Sequence, residues 1–136
     1  MASAAADSAK ADREVLLQFF RLTGGESWTH QEGWAKHADD LDGWYGVTTN
    51  AEGRVVKLEL RRERGRFGIN VTGAIPPQLG RLGALEVLDL GSNKLSGIIP
   101  PELGGLAALR VLNFRDNQLS ECCILRWKTI IWWIYT

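Results

Sequence analysis

The sequence predicts an α/β solenoid: a short stack of coils sharing a parallel sheet, closed at its start by a helix and a tryptophan-rich cap. Three observations carry this expectation. An apolar pattern recurs at an interval of 24 residues between Leu85 and Leu119. A helical spacing of apolar residues precedes it over Asp12–Thr23. Between the two lies Glu26–Asn50, which has little periodicity but holds Trp28, Trp34, Trp44 and Tyr45.

The chain begins MASAAADSAK, which is small and polar and lacks the apolar core of a secretion signal. A solvated leader is expected over residues 1–11. Asp12 then stands where a helix N-cap is expected. Val15, Leu16, Phe19, Phe20 and Leu22 fall on one broad face of the helix that follows. Gly24 and Gly25 end it, as glycines do at helix C-termini. The aromatic stretch after it reads as a loop-rich cap folded over one end of a core, since such rings bring much apolar area on few residues. His30 and His37 lie here without a cysteine or third ligand at a metal-binding spacing. Asp39, Asp40 and Asp42 lack the spacing of a calcium-binding loop. A polar loop is the expectation for both groups, with no metal and no cofactor.

The repeats start at Val55. Leu85-x-x-Leu88-x-Leu90-x-x-Asn93-x-Leu95 becomes Leu109-x-x-Leu112-x-Phe114-x-x-Asn117-x-Leu119 after 24 residues. The segment between strands repeats at the same interval: Gly73-x-Ile75-Pro76-x-x-Leu79-Gly80-x-Leu82 becomes Gly97-x-Ile99-Pro100-x-x-Leu103-Gly104-x-Leu106. This is the leucine-rich repeat pattern, whose period is about 20–29 residues. The first repeat departs from it. Its strand is Val55-x-x-Leu58-x-Leu60, but Leu60 to Leu90 spans 30 residues rather than 24. Six extra residues therefore lie between Arg61 and Asn70, in the basic segment RRERGRFGI.

The spacing dictates the geometry. In L-x-x-L-x-L the central residues alternate, as a strand with one buried face requires. Leu88 and Leu90 point inward; Val87 and Asp89 point outward. The chain turns at Gly91-Ser92-Asn93, where Asn93, and Asn117 after it, can satisfy backbone groups that no ladder reaches. Leu95, Ile99, Leu103 and Leu106 return along the opposite side of the core, with Pro76 and Pro100 holding the return extended. One coil cannot bury its own leucines, so neighbours must stack.

Function is expected on the outward positions, which stand side by side on a concave sheet. They are Val56, Lys57, Glu59 and Arg61 in the first repeat, Glu86, Val87 and Asp89 in the second, and Arg110, Val111, Asn113 and Arg115 in the third. Charge supports a protein partner. Lys+Arg and Asp+Glu number 16 each, so nothing provides the broad attraction that nucleic acids or anionic membranes need. Arg61, Arg62, Arg64 and Arg66 are diluted by Glu63 and lack interleaved aromatics, so nucleic acid is not the expected partner. No stretch reads as a membrane span. No nucleophile elbow, phosphate loop or zinc signature is present, and no enzyme is expected. Three strands, each about 17–20 Å long and about 4.8 Å apart, offer under about 300 Å². A stable interface wants about 800 Å² per partner.

The segments VTGAIPPQLGRL and LGSNKLSGIIPPELGGL resemble the plant-type leucine-rich repeat family over roughly Asp12 to Ser120. DGWYGVTT is similar to that family's cap motif around a Trp-x-Gly-Val core, here Trp44, Gly46 and Val47. In secreted members the core lies between two cysteines. Asp42 and Thr49 hold those positions here, so the resemblance implies an intracellular, cytoplasmic protein rather than a receptor ectodomain. The cap also looks like that of algal or protist proteins, some of which carry a ROCO-type GTPase domain. No G-x-x-x-x-G-K-[ST] loop is present, so no GTPase activity carries over.

The pattern stops at Ser120, where Glu121 replaces the expected glycine. CCILRWKTIIWWIYT, with adjacent Cys122 and Cys123, shows neither repeat nor cap. Adjacent cysteines rarely bridge, so no disulfide framework is expected. The organisation read from sequence is thus a leader at 1–11, a cap at 12–54, repeats at 55–120 and an off-pattern apolar tail at 121–136, read as a truncation or frame artefact, the alternative being a tail that covers the last repeat with its own apolar side chains. The tail and the open sheet edge are expected to drive self-association. The expected function is a non-enzymatic protein-binding module, a fragment of a larger intracellular signalling or scaffold protein. The alternatives are an ectodomain fragment of a leucine-rich repeat receptor and a non-functional truncated product. The first alternative draws on Asn70-Val71-Thr72, which fits the glycosylation sequon.

Overall fold

A computed structural model describes residues 4–34, 41–61 and 68–120, with side chains from Asp7 onward. Helix α1 (Ala4–Leu22) is followed by seven short strands: β1 (Val47–Thr49), β2 (Val55–Glu59), β3 (Thr72–Ala74), β4 (Val87–Asp89), β5 (Lys94–Ile98), β6 (Val111–Asn113) and β7 (Gln118–Ser120). They form two sheets, ordered β1-β2-β4-β6 and β3-β5-β7. The result is a short leucine-rich repeat solenoid with an N-terminal helix. Each coil contributes one strand to each sheet.

The main sheet follows the repeat. β2, β4 and β6 are parallel, with Leu58, Leu88 and Leu112 in register. Those leucines, together with Leu60, Leu90 and Phe114, are fully buried. After β4 and β6 the chain turns through a left-handed residue at the same place in the repeat, Ser92 (φ 57) and Asp116 (φ 57). Past the turn, Leu95 and Ile99 are buried from the second sheet's side. Pro76 (φ −70, ψ 136) and Pro100 (φ −62, ψ 134) are extended, as expected. Each leads into a single 3-10 turn, Pro77–Arg81 and Pro101–Gly105, that buries Leu79 and Leu103. The sequence reading did not anticipate the second parallel sheet.

The ladder places the insertion. Leu58 pairs with Leu88, an offset of 30, and the Leu60 N–H donates to the Asp89 carbonyl. Beyond it the Gly68 N–H donates to the Ser92 carbonyl and the Ile69 N–H to the Asn93 side chain, an offset of 24. The register therefore closes over positions 62–67. These residues, including Arg62, Glu63, Arg64 and Arg66, lie outside the described residues. Gly68 sits so close to the Ser92 carbonyl and the Asn93 side chain that a Cβ would collide with both.

The cap differs from expectation at both ends of its helix. α1 starts at Ala4, not Asp12, so positions 4–11 are helical rather than leader. Alanine has the highest helix propensity and leaves no apolar periodicity to read. Asp12 is thus not an N-cap. It is buried mid-helix, where its carboxylate accepts from Arg54 Nε at 2.8 Å and from the Val55 N–H at 3.1 Å. That ion pair ties the helix to the first repeat strand. At the other end Leu22 is 57% exposed. It lies at the edge of the apolar stripe, beyond Val15 on the helical wheel, while Leu17 at the opposite edge is buried.

Phe19 and Phe20 meet Trp28 and Trp34, with Phe20 edge-on to Trp28 at 5.1 Å and stacked on Trp34 at 5.9 Å. Trp34 continues to Trp44 at 5.0 Å. Both inner indoles are satisfied: Trp28 Nε1 donates to the Thr23 carbonyl and Trp34 Nε1 to the Tyr45 carbonyl. Asp42 accepts a hydrogen bond from the Thr49 hydroxyl at 2.6 Å. This bond joins the two positions flanking the Trp44-x-Gly46-Val47 core. The cap also adds β1, antiparallel to β2 with Thr48 beside Lys57, which was not foreseen.

Candidate functional site

The strand alternation fixes which side chains reach the open face of the main sheet. Leu58, Leu88 and Leu112 turn into the core, so their neighbours turn out. All eleven positions singled out from sequence are half-exposed or exposed. They form columns across the strands. Val56, Glu86 and Arg110 lie at the strand starts, linked by the Glu86 N–H to the Val56 carbonyl and the Arg110 N–H to the Glu86 carbonyl, each 2.7 Å. Lys57, Val87 and Val111 make the next column, and Glu59, Asp89 and Asn113 the one after. Arg61 and Arg115 follow at the turn end.

This face is partly self-organised. Arg61 reaches Asp89 at 3.8 Å and Arg110 reaches Glu86 at 3.9 Å. The other Asp89 oxygen accepts from Asn113 Nδ2 and the Gly91 N–H, each 3.0 Å. Exposed pairs of this kind contribute about 0–1 kcal/mol each, so a partner displaces them at small cost. Val87 and Val111 give the centre of the face its apolar patch, and Val111 is 40% exposed.

The cap extends the surface beyond the positions read from sequence. Tyr45 is half-buried, stacks on His30 at 4.9 Å, and donates its hydroxyl to the Arg61 carbonyl at 3.3 Å. Gly46 (φ 78) follows it, with the Glu59 N–H donating to its carbonyl at 2.8 Å. A Cβ there would run into the Glu59 carbonyl, so glycine lets cap and sheet edge meet. His30, Asp42 and Tyr45 thereby face Glu59, Arg61 and Asp89 across one cleft. The Trp-x-Gly-Val motif was the available signal. What it lacked was the β1–β2 pairing that brings it alongside the strand.

The remaining sequence candidates fall elsewhere. Among the described residues no three of His, Cys, Asp or Glu are grouped to hold a metal ion. His37, Asp39, Asp40, Cys122, Cys123 and the tail 121–136 lie outside the described residues. Asn70 and Thr72 of the sequon sit at the cap junction, where Asn70 Nδ2 donates to the Ser27 carbonyl and Thr72 Oγ1 to the Thr23 carbonyl. Among the described residues no helix is long and apolar enough to cross a membrane.

Residues 70–119 match the family model described as Leucine rich repeat. No curated protein sequence matches the chain. Among solved structures, the chain is similar to one in the PEPR1–AtPEP1 structure at 21% identity and TM-score 0.63, covering 92% of this chain and 18% of that one. A chain of the BIR3–SERK2 complex from Arabidopsis thaliana shows 27% identity and TM-score 0.59 over 85% of this chain and 58% of its own length. The ectodomain of the plant membrane receptor kinase GASSHO1/SCHENGEN3 from Arabidopsis thaliana, solved with CASPARIAN STRIP INTEGRITY FACTOR 2, gives 27% identity and TM-score 0.52 over 79% of this chain and 15% of its own. The chain thus spans less than two thirds of each of these neighbours. Leucine-rich repeats are typical of protein–protein interaction.

Proposed function

We propose that this chain is a non-enzymatic protein-binding module that engages its partner through the open face of the main sheet. The observation that carries the reading is the alignment of Lys57, Val87 and Val111 beside Glu59, Asp89 and Asn113, an apolar centre with a charged flank. Proteins with stacked repeats use such faces for partners. The cap cleft adds area to a sheet that alone falls short of a standard interface. The module acts as part of a larger intracellular signalling or scaffold protein, similar to plant-type and algal or protist leucine-rich repeat proteins. The Asp42–Thr49 hydrogen bond supports that setting, because it closes the cap without an oxidised cysteine pair. A receptor ectodomain is the second reading, favoured by the ectodomain among the solved structures to which the chain is similar.

Photo-cross-linking tests the binding reading. A cross-linking side chain is placed singly at Lys57, Val87, Asp89 or Val111, and at Ala74, Ser96 or Gln118 on the second sheet. One shared protein adduct from the first set, absent from the second, is the expected result. Adducts only from the second sheet would refute it. Expression through a secretory route separates the two settings: a glycan on Asn70 supports the ectodomain reading, and an unmodified chain the intracellular one.

A further inference from the structure

We infer that the cleft between the cap and the main sheet is a pocket for a basic side chain, arginine above lysine, carried by an extended segment of a partner protein. The inference rests on the protein-binding reading and adds to it the chemistry of one anchor. The cleft is an open concavity of about 1070 Å³, a volume ample for a side chain and its flanking backbone. One wall is aromatic. The Tyr45 ring is held by its own hydroxyl bond to the Arg61 carbonyl and by the stacked His30 ring, whose planes differ by 16°. The opposite wall is the end of the sheet, with Glu59 beside Asp89 in register.

The carboxylates of this cleft are not equivalent. Asp42 is occupied by the Thr49 backbone and hydroxyl. Asp89 is occupied by Gly91, Asn113 and, at 3.8 Å, Arg61. The Glu59 carboxylate is exposed and has no hydrogen-bond or ion-pair partner among the described residues. An aromatic plane beside an uncommitted carboxylate suits a guanidinium, which stacks on the ring and forms two parallel hydrogen bonds to the carboxylate. Arg61 lines the same cleft but is paired with Asp89 at 3.8 Å, so an acidic side chain would meet the uncommitted charge of Glu59, and an apolar one would desolvate Glu59 without replacing its water.

The test is a titration of the full 136-residue chain with three blocked tripeptides, acetyl-Gly-X-Gly-amide, where X is arginine, lysine or citrulline, followed by amide chemical shifts. The arginine peptide is expected to give saturable shifts at Gly46, Thr48 and Glu59, with lysine weaker. Citrulline, the neutral isostere, is expected to bind about fivefold or more weakly, and Glu59→Gln to weaken the arginine peptide by a similar factor. Glu59→Gln is isosteric and on the surface, so the fold persists. Glu52→Gln, in the exposed turn before β2, is expected to change nothing. Absent shifts at those amides, equal binding of citrulline, or indifference to Glu59→Gln would each overturn the pocket. Sheet-face cross-links obtained together with such a failure would leave the binding reading standing and remove only this anchor.

Discussion

Asn93 holds the coil turns together. Its Oδ1 accepts from the Ile69 and Val71 N–H groups, and its Nδ2 donates to the carbonyls of Leu60, Leu90 and Gly91. One buried amide thus serves two coils. Asn117 repeats the role one step on, accepting from the Leu95 N–H and donating to the Leu90 and Phe114 carbonyls, but it is half-exposed and makes fewer bonds. Asn93→Ala leaves several buried backbone groups unpaired and is expected to destabilise by roughly 2–4 kcal/mol; Asn117→Ala loses less, about 1–2 kcal/mol, because water reaches its partners. Chemical denaturation of both variants checks the order. Leu88 makes the complementary apolar case. It is fully buried between Leu58 and Leu112, so Leu88→Ala should cost about 2–5 kcal/mol through the cavity it leaves. A loss below about 1 kcal/mol would contradict its inward assignment. Both residues were legible in the sequence because each recurs after 24 positions. The role of Asp12 was not, because a buried carboxylate inside a helix declares itself only through a partner 42 residues away, Arg54.

At the scale of elements, strands and turns followed the repeat spacing, and the misses share a cause. β1 has three residues, too few to show alternation. β3 is Thr-Gly-Ala, and β5 buries only Leu95, so the second sheet leaves no apolar periodicity to read. Its strands exist because stacking places equivalent backbone segments side by side. The same reasoning makes the insertion removable. Joining Arg61 directly to Gly68 restores the 24-residue step, and the position aligned with Gly68 is Ser92, which is left-handed. Glycine adopts that conformation without steric penalty. A variant lacking residues 62–67 is therefore expected to unfold cooperatively, with a midpoint near that of the parent. Loss of the cooperative transition would mean that the segment supports the fold.

For the whole molecule, the cap closes one end of the stack and the strands β6 and β7 stand last in their sheets among the described residues. The sequence beyond Ser120 carries Trp127, Ile130, Ile131, Trp132, Trp133 and Ile134, a composition that drives association when it meets water. The full chain is expected to self-associate, and replacing the residues after Ser120 with a polar capping repeat should yield a monomer by light scattering. A monodisperse monomer of the unmodified chain would contradict this. The candidate site was legible in part: the eleven strand positions came from alternation, while the cleft depended on how the cap docks, which no local pattern encodes.

Binding through the open face of the main sheet is tested most directly by charge placed at its centre. Val87→Arg with Val111→Arg puts two guanidinium groups on the apolar column, and Ser96→Arg with Gln118→Arg puts the same charge on the second sheet. The dissociation constant of the cross-linked partner, purified and measured by calorimetry, is the readout. The first pair should weaken binding by about tenfold or more, as loss of a central apolar contact does, and the second should leave it within about twofold. Equal effects from both pairs, or a loss confined to the second, would contradict the assignment.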